Sequence, residues 1–527
     1  MGRIVKIYSG FMRIYFKHLV VAWMIFGGVW QEAAAASSNK IRALYNSLDT
    51  QSVAQHLAFY ELYSDTTQGQ EALHQALILL GGTNDKEDDE IAYKAFLNSG
   101  VDAIVALTNK QPDTPLETLS GIELDAIDKI ASKLPNRQLK GYCAKSEIEV
   151  LQLQPEEIDL ARGLFLTQLG EENLNKIRSY EASIDLMALQ IKARLPAKAS
   201  HANKIRAIND FIFVEMGFRF PPHSLYAKDI DLYTFLPSVL DSRRGVCLGV
   251  SILYICLAQR LDLPLEMITP PGHIYVRYCG NEGQEVNIET TARGIHVDSE
   301  EYLNVETRAL QKRNIKEVIG FAHFNQAAVY WGQEKYEEAL AAYRKAEPYL
   351  HGDKLLMEFM GYACILTGRQ EEGGRLLEAV RNYVPDCSVK GNNMAEDYLT
   401  GAVDAEGIKA IFLEVDETRE SIIKKRQVLE RALEKNPRFR AGLYSLAGAW
   451  MQLHRQREAL EVLESYHRLD PTDPTIEYYL TVLYAERFDY NNAWRRLKDV
   501  EKLVYARNHH PKVLKDLRRA LAIRSPE

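Results

Sequence analysis

The spacing of hydrophobic positions divides the chain into three parts. From 37 to 198, apolar residues recur every three or four positions, as in IRALYNSL and EALHQALILL, which is typical of amphipathic helices. From 199 to 312, a long apolar segment and stretches of strict alternation stand together, and this mixture predicts an α+β domain. From 313 onwards the helical period returns. The pattern therefore predicts a multidomain protein with a helical N-terminal region, an α+β core and an all-α C-terminal part.

The central part contains the most distinct elements. The segment NKIRAINDFIFVEMGF (203–218) predicts a helix, and CLGVSILYICLAQRL (247–261) predicts a second, strongly apolar one. The segments HIYVRY (273–278) and EVNIET (285–290) alternate as strands do, and the turn-forming GNEG separates them. We therefore expect two helices followed by a β-hairpin.

Beyond 313 the chain repeats itself every 34 residues. The matching pairs are Ala339 and Gly373, Ala459 and Ala493, Pro437 and Pro471, and Trp450 and Tyr484. A 34-residue period of paired helices, with small residues where the helices cross, is the signature of tetratricopeptide repeats. Such repeats stack into a solenoid whose concave groove binds a protein or peptide partner. The sequence predicts repeats over 313–386, an irregular connection over 387–415, and further repeats with a capping helix over 416–524.

The first 36 residues have the layout of a secretory signal peptide. Basic residues precede the uncharged run LVVAWMIFGGVW (19–30), and four alanines (33–36) follow it. The run has 12 residues, whereas a transmembrane helix needs about 20. We therefore predict export to the periplasm, the cell envelope or the medium. If the leader is retained, residues 14–30 would anchor the chain, and this is the only membrane contact that the sequence predicts.

Composition and charge exclude several classes of function. With 46% hydrophobic and 26% charged residues, the chain is that of a folded protein. A net charge of -8 gives no electrostatic reason to bind nucleic acid. The six cysteines include no CxxC pair, and no HExxH, Walker or GxGxxG motif occurs. We predict no metal and no cofactor.

The segment 491–524 is strongly basic, with ten Lys and Arg against three Asp and Glu, and it includes His509 and His510. A solvated helix that caps the solenoid is the favoured interpretation. Contact with an acidic partner or an anionic surface is the alternative.

Cys247 is the candidate nucleophile. It begins the apolar helix, and the unsatisfied N–H groups of a helix N-terminus favour the thiolate form. The adjacent Arg243 and Arg244 are expected to add positive charge. The alternative is that Cys247 is a small buried hydrophobic residue, as free cysteines commonly are.

His273 and Glu289 are the candidate base and acid. His273 follows a rigid Pro-Pro-Gly segment, and Glu289 lies on the second strand of the hairpin. If the connecting loop has an odd number of residues (Gly280 to Glu282), His273 lies directly opposite Glu289, with Asn287 diagonal on the same face. An even loop would instead place Thr290 opposite His273. The alternative interpretation of Glu289 is an exposed strand carboxylate.

These residues resemble a known family. The segment GVCLGVSILYICLAQRLDLPLEMITPPGHIYVRY, followed by NIETTARG, is similar to the transglutaminase-like core, and more specifically to the bacterial SirB-type proteins. Those proteins join such a core to tetratricopeptide repeats. The resemblance implies a papain-like fold in which a cysteine on a helix packs against a sheet that carries a histidine and an acid.

The resemblance also implies roles for individual residues. Cys247 matches the nucleophile, His273 the base, and Glu289 the third member, where the family usually has aspartate. Asn287 is the reserve for that third position, because papain-type sites use asparagine.

Two functions follow from these observations. The first is a thiol-dependent amidase, peptidase or acyltransferase that acts on a protein recruited by the repeats. The second is a non-catalytic adaptor, scaffold or regulator that binds partner peptides through the solenoid.

Overall fold

The computed structural model describes residues 38–81, 100–221, 230–280, 283–416 and 418–526. The predicted leader lies outside the described residues. The chain forms two units, Met1–Asn84 and Asp85–Glu527. Within the described ranges, every helix falls short of the length and apolar character that a membrane span needs.

The described part of the first unit is helical. Its helices are α1 (Ser38–Tyr45), α2 (Val53–Tyr63) and α3 (Thr67–Leu79). The hydroxyls of Ser52 and Thr66 accept hydrogen bonds from N–H groups in the first turns of α2 and α3, which fixes where these helices begin. Ile41, Phe59 and Ala72 form the core of this unit.

In the second unit, a long central helix organises the helices that precede the sheet. They are α4 (Val101–Thr108), α5 (Gly121–Ala131), α6 (Glu147–Gln152), α7 (Leu160–Leu169), α8 (Leu174–Ala193), α9 (His201–Asn209), α10 (Leu236–Ser242) and α11 (Cys247–Arg260). The central helix is α8, which contacts α5, α7 and α11 and is buried without interruption over 179–191. Its buried charges are paired: Glu181 with Arg162 at 2.6 Å, and Asp185 with Arg260 at 2.5 Å.

A four-stranded antiparallel sheet packs against α11. Its strands are β1 (Glu266–Thr269), β2 (Tyr275–Cys279), β3 (Glu285–Ile288) and β4 (Gln311–Arg313), in the order β3-β2-β1-β4. The hairpin β2–β3 matches the prediction from alternation, whereas β1 and β4 were not predicted. The helix expected over 203–218 is found as α9, followed by a π-helical turn, Asp210–Glu215.

His273 and Glu289 lie just outside the strands, which are shorter than predicted. The N–H of His273 donates to the carbonyl oxygen of Pro270 at 3.1 Å, so His273 belongs to the turn that leads into β2. Glu289 follows β3 and caps a short 3₁₀ turn, Thr290–Ala292. Both side chains are therefore held at the end of the sheet where β2 begins and β3 ends.

The C-terminal part consists of paired helices. They are α12 (Ile315–Gly332), α13 (Tyr336–Ala346), α14 (Lys354–Leu366), α15 (Gln370–Glu378), α16 (Met394–Leu399), α17 (Ala405–Phe412), α18 (Arg419–Lys435), α19 (Arg440–Gln452), α20 (Gln456–Leu469), α21 (Pro474–Glu486), α22 (Tyr490–Tyr505) and α23 (Lys512–Arg524). Helices α13 and α15 begin 34 residues apart (336 and 370), as do α19 and α21 (440 and 474). The predicted crossing residues Ala339, Gly373, Ala459 and Ala493 are all buried. The predicted 34-residue repeat of paired helices is confirmed.

The expectation of an irregular connection over 387–415 is wrong, because this segment contains α16 and α17. Asp404 caps α17 by accepting a hydrogen bond from the N–H of Gly407 at 2.8 Å. Met394 and Ile408 are buried in the same core as α14 and α15. Both helices are short, so neither has enough turns to show a period in the sequence.

Candidate active site: a cysteine, a histidine and a glutamate

Cys247 is the first residue of α11 and is half-buried. The N-cap residue, Val246, has no side-chain acceptor for the N–H groups of the first turn. Those groups therefore keep their partial positive charge beside the sulfur atom. A Cβ on Gly245 would lie 2.6 Å from the side chain of Val250, so only glycine fits where the chain turns into α11.

Arg243 and Arg244 do not support the thiol as expected. The guanidinium of Arg243 donates to the carbonyl oxygens of Met216, at 3.3 Å, and Lys110. That of Arg244 pairs with Asp113 at 2.8 Å. These bonds tie the loop before α11 to other loops, so of the two sources of positive charge expected from this segment, the helix N-terminus remains.

His273 and Glu289 are in direct contact. The imidazole Nε2 of His273 lies 2.5 Å from Oε2 of Glu289. Oε2 also accepts a hydrogen bond from the hydroxyl of Tyr302 at 2.7 Å, and Oε1 accepts from the N–H and the hydroxyl of Thr291 at 3.1 and 2.6 Å. Glu289 is only 6% exposed. Burial favours the neutral carboxyl, but these hydrogen bonds outweigh it and lower the pKa of Glu289.

Helix α11, which Cys247 begins, packs on this end of the sheet: the hydroxyl of Ser251, one turn after Cys247, lies 3.0 Å from that of Thr290, which follows Glu289. Burial disfavours the imidazolium, but hydrogen bonds with Cys247 and Glu289, together with their negative charge, raise the pKa of His273 to about 9. Because Glu289 occupies Nε2, Nδ1 is the nitrogen that remains for the thiol. Both the sulfur and the carboxylate thus raise the pKa of His273, which favours the imidazolium at neutral pH.

The register of the hairpin differs by two residues from the expected one. The odd loop is confirmed, but it has five residues, and Cys279 pairs with Glu285. Continuing this register places Tyr275 opposite Glu289. The prediction that His273 lies directly opposite Glu289 is therefore wrong. His273 lies diagonally across from Glu289 on the same face, and the carboxylate still reaches it.

Among the described residues, no hydrogen bond joins Asn287 to His273. Its amide accepts from Arg277 at 2.8 Å and donates to the carbonyl oxygen of Val297 at 2.8 Å and the hydroxyl of Ser299 at 3.0 Å. The reserve residue therefore holds the chain that follows β3, and Glu289 is the residue that meets the histidine.

Tyr302 is a site residue that the sequence did not reveal. Its ring stacks on the His273 imidazole, with centroids 5.6 Å apart and planes 15° apart, and on the Tyr275 ring at 4.7 Å. A lone tyrosine 13 residues after Glu289, in a segment without periodicity, carries no local signal for this position.

No group of three or more His, Cys, Asp or Glu side chains in the described ranges is arranged to hold a metal ion.

Residues 178–319, which include Cys247, His273, Glu289 and Tyr302, match a family described as the transglutaminase-like superfamily. F-box only protein 21 is similar to this chain over 149 residues, with 25% identity for the protein from Mus musculus and 24% for that from Homo sapiens. The similarity covers 28% of this chain and 22% of each relative. The chain therefore carries a transglutaminase-like segment and spans about a fifth of the length of these relatives.

Solved structures of MamA are similar to about a third of the chain. One, comprising residues from 41 to the end of MamA from Desulfovibrio magneticus RS-1, is 16% identical and covers 36% of this chain and 96% of that one, with a TM-score of 0.19. Another crystal structure of MamA is 12% identical over 34% of this chain and 94% of that one, also with a TM-score of 0.19. Such low TM-scores support no conclusion, so the repeat architecture rests on the helix pairs and their period.

Proposed function

We propose that Cys247, His273 and Glu289 form the catalytic centre of a thiol-dependent amide hydrolase or acyltransferase. One observation carries the proposal: His273 contacts a buried carboxylate at 2.5 Å, at the end of the sheet on which α11, begun by Cys247, packs through Ser251 and Thr290. A nucleophile, a base and a group that orients the base are the three parts that acyl transfer requires.

In the first half of the reaction, the thiolate of Cys247 attacks the carbonyl carbon of an amide. A carbon–sulfur bond forms, and the electron pair of the carbonyl double bond moves onto oxygen. The free N–H groups in the first turn of α11 stabilise this oxyanion. The carbon–nitrogen bond then breaks, and the imidazolium of His273 gives its proton to the leaving amine.

In the second half, a nucleophile releases the acyl group from the thioester. The neutral imidazole takes a proton from water, which gives hydrolysis, or from an amine, which gives acyl transfer. The attacking oxygen or nitrogen forms a bond to the carbonyl carbon as the carbon–sulfur bond breaks. Cys247 leaves as the thiolate, and the proton on His273 restores the starting pair.

The repeats supply the protein substrate in this proposal. Stacked helix pairs present an extended surface suited to a peptide segment. The order of a transglutaminase-like core followed by paired helices is that of the SirB-type proteins, and we assign the chain to that type. Export, directed by the N-terminal leader, is part of the same proposal.

The reactivity of Cys247 tests the proposal. Iodoacetamide labelling from about pH 5.5 to about pH 10, read by mass spectrometry of each cysteine peptide, measures the fraction of thiolate. Cys143 is exposed and serves as the reference within the same molecule. At about pH 6.5 we expect Cys247 to react about tenfold faster than Cys143, because the imidazolium holds the thiolate.

The variant His273→Ala should remove this advantage while far-UV circular dichroism stays unchanged. If Cys247 reacts no faster than Cys143, and His273→Ala leaves its rate unaltered, the catalytic proposal is wrong. The adaptor function would then remain as the interpretation of the chain.

A further inference from the structure

We infer that Tyr302 is a positioning residue: its hydroxyl holds the carboxylate of Glu289, and its ring fixes the plane of the His273 imidazole. The inference rests on the proposed function, because it concerns the geometry of the same three residues. Neither the family match nor the hairpin pattern singles out Tyr302.

The contacts of Tyr302 act on both members of the pair. Its hydroxyl and His273 Nε2 approach the same oxygen of Glu289, at 2.7 and 2.5 Å. With two donors on Oε2 and two hydrogen bonds from Thr291 on Oε1, the carboxylate cannot rotate without losing a bond. The tyrosine ring covers one face of the imidazole and is backed by Tyr275, which is fully buried. The stack therefore sets the direction in which Nδ1 points.

The backbone on either side of Tyr302 is anchored at distant places. We call residues 299–310 the strap. At its beginning, the hydroxyl of Ser299 accepts hydrogen bonds from Asn287 and Arg277, both at 3.0 Å, which ties it to the sheet. After its end, the chain returns to the sheet as β4.

Between these points, the strap lies on the C-terminal repeats. Nε2 of His509 contacts the carbonyl oxygen of Asn304 at 2.7 Å, and Val305 is buried in the core that α22 and α23 share. The carboxylate of Glu306 accepts a hydrogen bond from the hydroxyl of Thr475, the second residue of α21, at 2.6 Å.

The strap also pairs with the segment that precedes α16. Thr307 forms a β-bridge with Ser388, and the N–H of Arg308 donates to the carbonyl oxygen of Cys387 at 2.8 Å. Tyr302 is thus held from the sheet on one side and from the repeats on the other. Because the backbone on both sides of Tyr302 is anchored, its side chain can orient His273 and Glu289 at little entropic cost. This favours a positioning role over packing alone.

The test measures the pH dependence of Cys247 alkylation in the full-length protein. The variants are Tyr302→Phe, which keeps the ring, and Tyr302→Leu, which removes both contacts. Tyr278→Phe is the matched control, because Tyr278 lies on β2, the strand that follows His273, and its hydroxyl contacts another histidine, His201, at 2.7 Å.

For Tyr302→Leu we expect the midpoint of the alkylation profile to rise by about one pH unit, so that Cys247 reacts about tenfold more slowly at about pH 6.5. For Tyr302→Phe the expected loss is about threefold, since only the hydroxyl is missing. The limiting rate at alkaline pH, where any free thiol is ionised, should not change in either variant. A purely structural role would instead lower the rate at every pH or unfold the protein.

The outcomes separate the two ideas. Suppose that the midpoint of the alkylation profile differs from the wild-type value in His273→Ala but not in Tyr302→Leu. The inference about Tyr302 is then overturned, and the proposed function stands. If the midpoint moves in neither variant, both are overturned. A shift in Tyr278→Phe as large as that in Tyr302→Leu would also contradict the inference, because the effect would not be specific to the stacked tyrosine.

Discussion

At the scale of single residues, the glutamate at position 289 is explained by the register of the hairpin. The cores that the sequence resembles usually have aspartate there. Side chains directly opposite on an antiparallel pair have Cβ atoms about 5 Å apart, whereas diagonal neighbours are separated by about 7 to 8 Å. His273 and Glu289 are diagonal, and the extra methylene of glutamate adds about 1.5 Å of reach. The longer side chain therefore compensates for the offset between the two residues.

Glu289, together with Cys247, should raise the pKa of His273. The pKa of His273 is raised to about 9, so protonation contributes its full stabilisation below the unfolded value of about 6.5. That contribution is lost as the pH rises through 9. In Glu289→Gln we expect the pKa of His273 to fall below 9, because Cys247 alone then raises it. The loss of melting temperature between about pH 6.5 and pH 9 should become smaller.

Histidine NMR titration and thermal unfolding at several pH values measure these two effects. Glu285→Gln is the control, because Glu285 begins β3, the strand that Glu289 follows, is exposed and pairs with Arg277 instead of His273. An unchanged His273 titration in Glu289→Gln would show that the carboxylate does not set this pKa.

Local signals explain which site residues the sequence could predict. Cys247 stands where a helix begins, His273 follows Pro-Pro-Gly, and strand parity places Glu289 on the histidine's face. The register itself was not predictable, since it depends on how the five-residue loop closes. Tyr302 was also not predictable, because its position depends on partners up to about 200 residues away along the chain.

At the scale of elements, close helix contacts explain why the repeats need glycine and alanine at particular positions. A Cβ on Gly373 would lie 2.7 Å from the carbonyl oxygen of Gly361, so α14 and α15 touch backbone to backbone. Small buried residues recur at this position with the 34-residue period, and the sequence showed that recurrence. Strands β1 and β4 were not visible in the sequence. β4 has only three residues, and about 40 residues of chain separate it from its partner β1.

Two adjacent glycines in α15 provide a test of this packing. Gly→Ala in a helix ordinarily stabilises by about 1 kcal/mol. Gly374→Ala should show this gain, because a Cβ there meets no atom within 4 Å. Gly373→Ala should instead destabilise by about 1 to 3 kcal/mol, because the new methyl group forces the helices apart. Urea unfolding of both variants measures the difference, and equal effects would contradict the close approach of α14 and α15.

At the scale of the whole second unit, the strap joins the transglutaminase-like segment to the repeats. His509 is buried and contacts the backbone of Asn304, whereas its neighbour His510 is exposed. His509→Ala should cost about 1 to 2 kcal/mol, because it removes a buried side chain and its hydrogen bond with the carbonyl oxygen of Asn304. His510→Ala should have little effect.

Hydrogen exchange of the strap amides reports this difference. In His509→Ala we expect faster exchange over residues 303–309 than in His510→Ala. Equal protection in the two variants would show that the strap is held without His509. The basic C-terminal segment predicted as a solvated cap thus contains one buried histidine with a structural contact, which composition alone could not distinguish from its neighbour.

The residues of the repeats that contact the strap also restrict how this protein can evolve. Arrays of helical repeats commonly gain or lose units, since each unit contacts only its neighbours. Here the strap contacts residues 387–389, Thr475 and His509, and several helices separate the first of these contact sites from the last. Deleting or duplicating a unit between them would change the distance between these sites, whereas the length of the strap is fixed. The number of C-terminal helix pairs is therefore restricted by the length of the strap, which carries Tyr302 beside His273.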